Sequence, residues 1–389
     1  MAKTSVGFVV ENVLGHASHL RYLMEAAAGD PDIEPVWMPV MGWADDCWQR
    51  LPRWVRNNWT VMSGLRARDL VSAAMSARRP PDLPYFHTQV TALLSLDTMR
   101  SVPAVLSLDA TPRQIDPLGV GYAHAASRVP GVESAKAFLH RRLFASARRL
   151  VAWTPWVAES LIDDYDVPAG KVAVVPPGVD TAAWAEAAAE ARAGRAGPVR
   201  LLFVGGDFPR KGGPQLLAAL DRLPPGSWAL DLVTYTKATG AEGRPNVRVI
   251  PGLPHGSAEL RALFAAADVF VLPTLADTLG VVLIEALAAG LPVVTTRVGG
   301  LTDVVGHGVT GLLTEPGDIA GLTEALGRLA ADRELRLRLG AAARADAVRR
   351  FDARSNYRRL LDLLKSVPLV RFHRNAEVRM QNDESIGRE

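Results

Sequence analysis

Apolar and polar positions follow two alternating rhythms along the chain. Short β-branched runs predict strands near Val6–Val10, Glu34–Met38, Tyr85–His87, Ala104–Ser107 and Leu150–Trp153. Between them, Ala/Leu-rich stretches predict helices, including Ala17–Ala28, Ala135–Ala145 and Trp156–Asp164. The last begins at Thr154-Pro155, a capping hydroxyl followed by a proline whose fixed backbone suits a first helical turn. Strand and helix in alternation is the pattern of a parallel sheet covered by helices.

The pattern then breaks and restarts. After Val172–Val175 and Pro176-Pro177-Gly178, the Ala/Gly-rich stretch Glu186–Gly197 reads as a linker or a mobile helix. A second series follows, with strands Val199–Val204, Ala229–Thr234, Val247–Ile250, Val269–Leu272 and Val293–Thr295. Helices Pro214–Leu223, Ala258–Ala267 and Val281–Ala289 are interleaved with them, the last stopped by Gly290 and Pro292. Charged helical sequence runs from Asp332 to Arg350, and Ser355–Leu364 is amphipathic. The expected organisation is an α/β chain of two doubly wound domains, 1–180 and 198–351, with a non-periodic tail over 371–389.

Composition changes this picture little. Over 389 residues, 48% are apolar and 22% charged, which suits two ordinary cores and excludes collagen-like or wholly disordered classes. Lys plus Arg is 44 against 41 for Asp plus Glu, and no concentrated basic face stands out, so no nucleic-acid partner is expected. The single cysteine, Cys47, cannot form an internal disulfide or a cysteine-rich zinc site. With no apolar run long enough to span a bilayer, the expected setting is the cytoplasm.

Candidate chemistry sits where strands meet helices, because ligands of doubly wound sheets bind at strand ends and helix N-termini. Gly205-Gly206-Asp207-Phe208-Pro209-Arg210-Lys211-Gly212-Gly213 follows a strand, and its glycines and two cations suit an anion. It lacks the Gly-Lys-Ser/Thr ending of a P-loop and the spacing of a dinucleotide fingerprint. A second loop, Pro273 to Gly280, opens the helix at Val281, where free backbone N–H groups around Leu279, Gly280 and Val281 suit a phosphate oxygen. Glu285 lies about one turn into that helix among apolar neighbours, where a lone carboxylate is costly, and it could accept hydrogen bonds from a ribose diol. No histidine cluster that would suggest a metal is apparent, and no metal ligands are assigned.

Together these segments resemble the retaining GT-B glycosyltransferases of family 4. Phe203 to Gly213 is similar to that family's F-V-G-R-L-x-x-x-K-G loop, and Asp277 to Glu285 has its E-x7-E spacing. Ala286 to Val294, Gly299-Gly300-Leu301-Thr302-Asp303 and Gly308 to Leu313 continue the likeness, and Val175 to Asp180 resembles the segment before the interdomain linker. The resemblance implies two Rossmann-like domains facing across a cleft, with residues of about 352–370 crossing back to complete the first. It also implies Lys211 neutralising a donor pyrophosphate, Glu285 binding the ribose, and Asp277 contacting the transferred sugar. Gly206 stands where the family has Arg, and Arg210 is the candidate replacement. Asp109 occupies the place of a family histidine near that sugar, with His124 as the alternative, while Gly15 and His16 lie on the first strand-to-helix loop.

The expected activity is therefore metal-independent transfer of a sugar, with retention, from a UDP- or GDP-sugar to a hydroxyl or amine acceptor, with no further cofactor. An epimerase on the same fold and a non-catalytic sugar-nucleotide-binding subunit are the alternatives. One segment adds a further expectation. Trp48, Leu51, Val55, Trp59 and Met62 recur at helical spacing, with Arg50, Arg53, Arg56 and Arg66 off that stripe, and Trp37, Trp43 and Trp54 nearby. Such a stripe describes a peripheral membrane contact through 43–66, core packing, or an aromatic wall of an acceptor pocket.

Overall fold

The computed structural model describes residues 3–12, 16–41, 44–122, 130–189 and 197–369. It contains two six-stranded parallel sheets, each with its own core. Strands β1 (Thr4–Asn12), β2 (Ile33–Met41), β3 (Leu83–His87), β4 (Val105–Leu108), β5 (Arg149–Ala152) and β6 (Val172–Val174) form the first, in the order β2-β1-β3-β4-β5-β6. The central strands are apolar on both faces because both are covered: Phe86, Leu106 and Leu150 pack with helix Trp59–Met75 on one side, and Phe8, Tyr85 and Val105 pack on the other.

Strands β7 (Val199–Val204), β8 (Trp228–Thr234), β9 (Val247–Pro251), β10 (Val269–Leu272), β11 (Val293–Thr296) and β12 (Gly311–Thr314) form the second sheet, in the order β12-β11-β10-β7-β8-β9. Helix Val281–Ala288 is buried almost all round in that core, which its apolar sequence requires. In both sheets the strand order reverses once, between β1 and β3 and between β7 and β10. The carboxyl ends of those strand pairs are where a doubly wound sheet opens a crevice.

The last helix, Ala353–Lys365, returns to the first sheet. Asp352 caps it, Ala353 N–H donates to Val179 O at 2.9 Å, and Tyr357, Leu360, Leu361 and Leu364 enter the core beside Phe8 and Tyr85. Lys365 Nζ donates to Asp30 Oδ2 at 2.8 Å, fastening the helix to the turn before β2.

The structure adds to the sequence expectations and corrects one of them. The stretch 186–197, read as a linker or a mobile helix, is helical as far as Ala189, where helix Thr181–Ala189 ends; residues 190–196 lie outside the described residues. Strand β12 and helix Ile319–Ala331 were not anticipated. The Trp/Arg stripe is not one amphipathic helix: Cys47–Arg50, Arg53–Arg56 and Trp59–Met75 are separate, with Pro52 at the break. Its members also part company. Arg66 is buried and paired with Asp46, Trp48 donates to Asp69 at 2.9 Å, and Met62 is buried in the fold. Trp43 lies outside the described residues.

Candidate active site

The second lobe's switch point is built from the loops after β7 and β10, and backbone bonds tie them together. Leu275 N–H donates to Arg210 O at 2.9 Å, and Thr274 Oγ1 donates to the same oxygen at 3.2 Å. Lys211 and Asp277 therefore meet, forming a largely buried ion pair through Nζ and Oδ2. Burial pulls the Lys211 ammonium below its usual range, while the Asp277 carboxylate opposes that shift. Asp277 Oδ1 also accepts from Thr278 N–H at 3.0 Å, so the carboxylate is held at both oxygens.

Gly280 caps helix Val281–Ala288 with φ +67°, and a side chain on it would stand 3.4 Å from Asp277 Oδ2. Gly299 is more constrained, because at φ +53° an added Cβ would lie 2.2 Å from Asp277 O. Gly205 N–H donates to Val233 O at 3.0 Å. Arg210 turns its guanidinium onto Ala276 O at 2.9 Å and Asp207 at 3.4 Å, so part of its donor set braces the loop. In front of Gly206 stands the ring of Tyr235, whose hydroxyl donates to Leu253 O at 2.8 Å. That ring fills space a larger residue at 206 would need.

Glu285 is 3% exposed, and its Oε2 is buried without a hydrogen-bond partner. His255 approaches Oε1 at 3.9 Å. Burial pushes the Glu285 carboxyl up to about 8 and moves His255 down, so near neutrality the pair is not an ion pair. Arg21, on helix His16–Ala28 of the first lobe, opposes the Glu285 shift with its positive charge, so both lobes contribute to this environment.

The first lobe's switch point faces these loops. Asp109, just past β4, accepts a hydrogen bond from Thr278 Oγ1 at 2.9 Å, a direct contact across the cleft. His16 Nε2 lies 3.8 Å from Asp109, and His16 Nδ1 is 3.1 Å from His87 Nε2 and 3.8 Å from Glu11. His87, His19 and Trp153 stack beneath. Burial moves His19 down to about 3 and His87 well below its usual range, which leaves both neutral. A second cross-cleft bond runs from Trp156 N–H to Asp303 Oδ2 at 2.8 Å, where a carboxylate meets a helix N-terminus.

The structure thus brings Lys211, Asp277, Thr278, Asp109 and His16 together, with Gly280 beside Asp277 and Glu285 further along the same helix. Gly15 and His124 lie outside the described residues. Sequence reasoning missed Thr278, Glu11, His87 and His255. Glu11 and His87 carried one usable signal, since each is a polar residue that follows an apolar run near the carboxyl end of its strand.

Two Rossmann-like lobes whose switch points open onto one crevice define the GT-B class. Two family models match in succession, Glycosyltransferase Family 4 over residues 22–183 and Glycosyl transferases group 1 over residues 187–346. The glycogen synthase of Mycobacterium tuberculosis is 30% identical over 309 residues, 75% of this chain and 70% of the relative. A D-inositol 3-phosphate glycosyltransferase of Pseudarthrobacter chlorophenolicus is 36% identical over 220 residues, and the match spans about half (52%) of its length. Among solved structures, sucrose-phosphate synthase of Thermosynechococcus elongatus aligns with a TM-score of 0.71 at 20% identity, covering 93% of this chain and 98% of that one. HepE of Anabaena, in complex with UDP-glucose, aligns at 0.66 and 19%, covering 93% and 99%. At such identities the structural likeness speaks for the fold alone. The chain belongs to the family 4 glycosyltransferases.

Proposed function

We propose that this enzyme moves a sugar from a nucleotide-diphosphate sugar, a UDP- or GDP-sugar, to a hydroxyl or amine acceptor, retaining the anomeric configuration and using no metal or further cofactor. The carrying observation is the meeting of the Lys211–Asp277 pair with the free N-terminus of helix Val281–Ala288 at the second lobe's switch point. Departure of the nucleotide places negative charge on the leaving phosphate and positive charge at the anomeric carbon. Lys211 and the helix amides are already aimed at the first charge, and Asp277 faces the side where the second develops. The unpartnered Glu285 oxygen supplies an acceptor for a ribose hydroxyl.

In the balanced step, the bond from anomeric carbon to phosphate oxygen breaks and the acceptor oxygen or nitrogen bonds that carbon from the same face. The acceptor's proton passes to the departing phosphate. Gly205, Gly206, Leu279 and Val281 line the phosphate path with backbone, and Asp109 and His16 meet the sugar from the first lobe. The HepE structure with UDP-glucose favours a UDP-sugar as the first donor to test.

The test incubates the purified protein with UDP- and GDP-sugars in chelator, with and without an acceptor panel, and reads products by mass spectrometry and anomeric coupling by NMR. Glycoside formed with retained configuration supports the reading. Conversion of a donor to its epimer without acceptor would establish the epimerase instead, and donor binding with neither transfer nor hydrolysis would establish the binding subunit.

A further inference from the structure

The first lobe's switch point holds a second constellation, on the acceptor side of the crevice. Trp59 opens helix Trp59–Met75 and is 39% exposed, although burying an indole is normally favourable. Its ring is nevertheless fixed: Nε1 donates to Glu11 Oε1 at 3.1 Å. Glu11 is itself 3% exposed at the carboxyl end of β1, and its Oε2 accepts from Thr88 Oγ1 at 3.0 Å. Among the described residues no other ring stacks on the indole.

A continuous polar line leaves this ring. Glu11 lies 3.8 Å from His16, His16 lies 3.8 Å from Asp109, and Asp109 accepts from Thr278 of the donor lobe. An exposed aromatic face, clamped at its edge and continued by acids and imidazole, fits a ring with C–H bonds on one face and hydroxyls around its rim. A purely alkyl acceptor would offer no hydrogen-bonding group to the His16 and Asp109 side chains that continue the line.

We propose that Trp59 is the stacking platform of the acceptor subsite, that the acceptor is a polyhydroxylated ring (a sugar or a cyclitol), and that Glu11 is the positioning residue that fixes the indole. This rests on the reading of the cleft as a transfer site. Its test is chosen to fail separately from that reading.

Binding of methyl α-glucoside and of myo-inositol is measured by saturation-transfer NMR with UDP present, with octanol as the alkyl control. Wild type binds at least one polyol in preference to octanol. Trp59→Ala weakens that binding about tenfold or more, and Trp59→Tyr restores much of it. Glu11→Gln, which keeps an oxygen for the indole N–H, retains polyol binding, whereas Glu11→Leu loses it at unchanged circular dichroism. The UDP-induced thermal shift stays at the wild-type level in all four variants; its absence in wild type would sink the donor reading and leave the polyol result standing. No polyol binding by wild type, or equal binding by Trp59→Ala, overturns the proposal. So does sedimentation of wild type with anionic vesicles that Trp59→Ala abolishes while polyol binding is unchanged, because the ring would then serve a lipid surface.

Discussion

At the residue scale, two buried titratable groups decide how the site behaves. Glu285 titrates near 4.5 in an unfolded chain and at about 8 in the folded one. Between those values the folded state holds a proton the unfolded state has released, so stability falls as pH rises from about 4.5 to 8. Chemical denaturation across that range should show the decline, and Glu285→Gln, which cannot titrate, should flatten it. A ribose diol donates hydrogen bonds and favours the charged carboxylate, so nucleotide binding should release protons near pH 7. Calorimetry in buffers of different ionisation enthalpy reads that release, which Glu285→Gln should remove.

Lys211 differs because its partner is buried with it. Lys211→Met should lower transfer by about a hundredfold or more, the magnitude expected for losing an aimed charge at a developing anion. It should also destabilise the fold by a few kcal/mol, because Asp277 remains buried and uncompensated. The pair Lys211→Met with Asp277→Asn should recover stability without recovering turnover. Recovered turnover would show that Lys211 acts only as Asp277's partner.

At the element scale, the donor loops work as one unit because each is fitted to its neighbour's backbone. Gly299, on the loop after β11, makes room for Asp277 O. Gly299→Ala should cost about 1–2 kcal/mol for the left-handed backbone alone, with the clash in addition. It should lower the melting temperature and weaken donor binding together. A variant that lost stability but bound donor normally would show that this loop does not set the position of Asp277. The same scale explains what pattern reading missed. β12 begins with a glycine and has no β-branched residue before Thr314, so it lacks the β-branched run that announces a short strand such as β11. The 43–66 stripe has genuine helical spacing, but Pro52 breaks the chain, and the acids that engage Trp48 and Arg66 come from positions unrelated to the stripe.

At the scale of the whole molecule, the two lobes touch through specific polar contacts at the crevice. Thr278 donates to Asp109, and the Trp156 amide donates to Asp303. Substrate must enter between lobes that these bonds hold together, so they act as latches. Thr278→Val with Asp303→Ala should enlarge the radius of gyration in small-angle scattering of the ligand-free protein. Added donor should reduce that difference. An unchanged radius would mean that the helix Ala353–Lys365 and the apolar contacts set the lobe angle by themselves.

Much of the molecule was legible in its order of residues. Buried parallel strands and amphipathic helices have short-range periods that a sequence displays directly, so the two lobes and nearly every central strand could be read from pattern. The glycine loops and the apolar setting of Glu285 are local too, since a turn and a helix start are encoded within about ten residues. What only the tertiary structure decided was company. Asp109 beside Thr278, Glu11 beneath Trp59 and Arg21 in the field of Glu285 join residues far apart in the chain, and no local period records such pairings. The first and third exist because two switch points, each dictated by strand order, face each other across a single crevice, and the second because β1 ends beside the helix Trp59–Met75 within the first lobe.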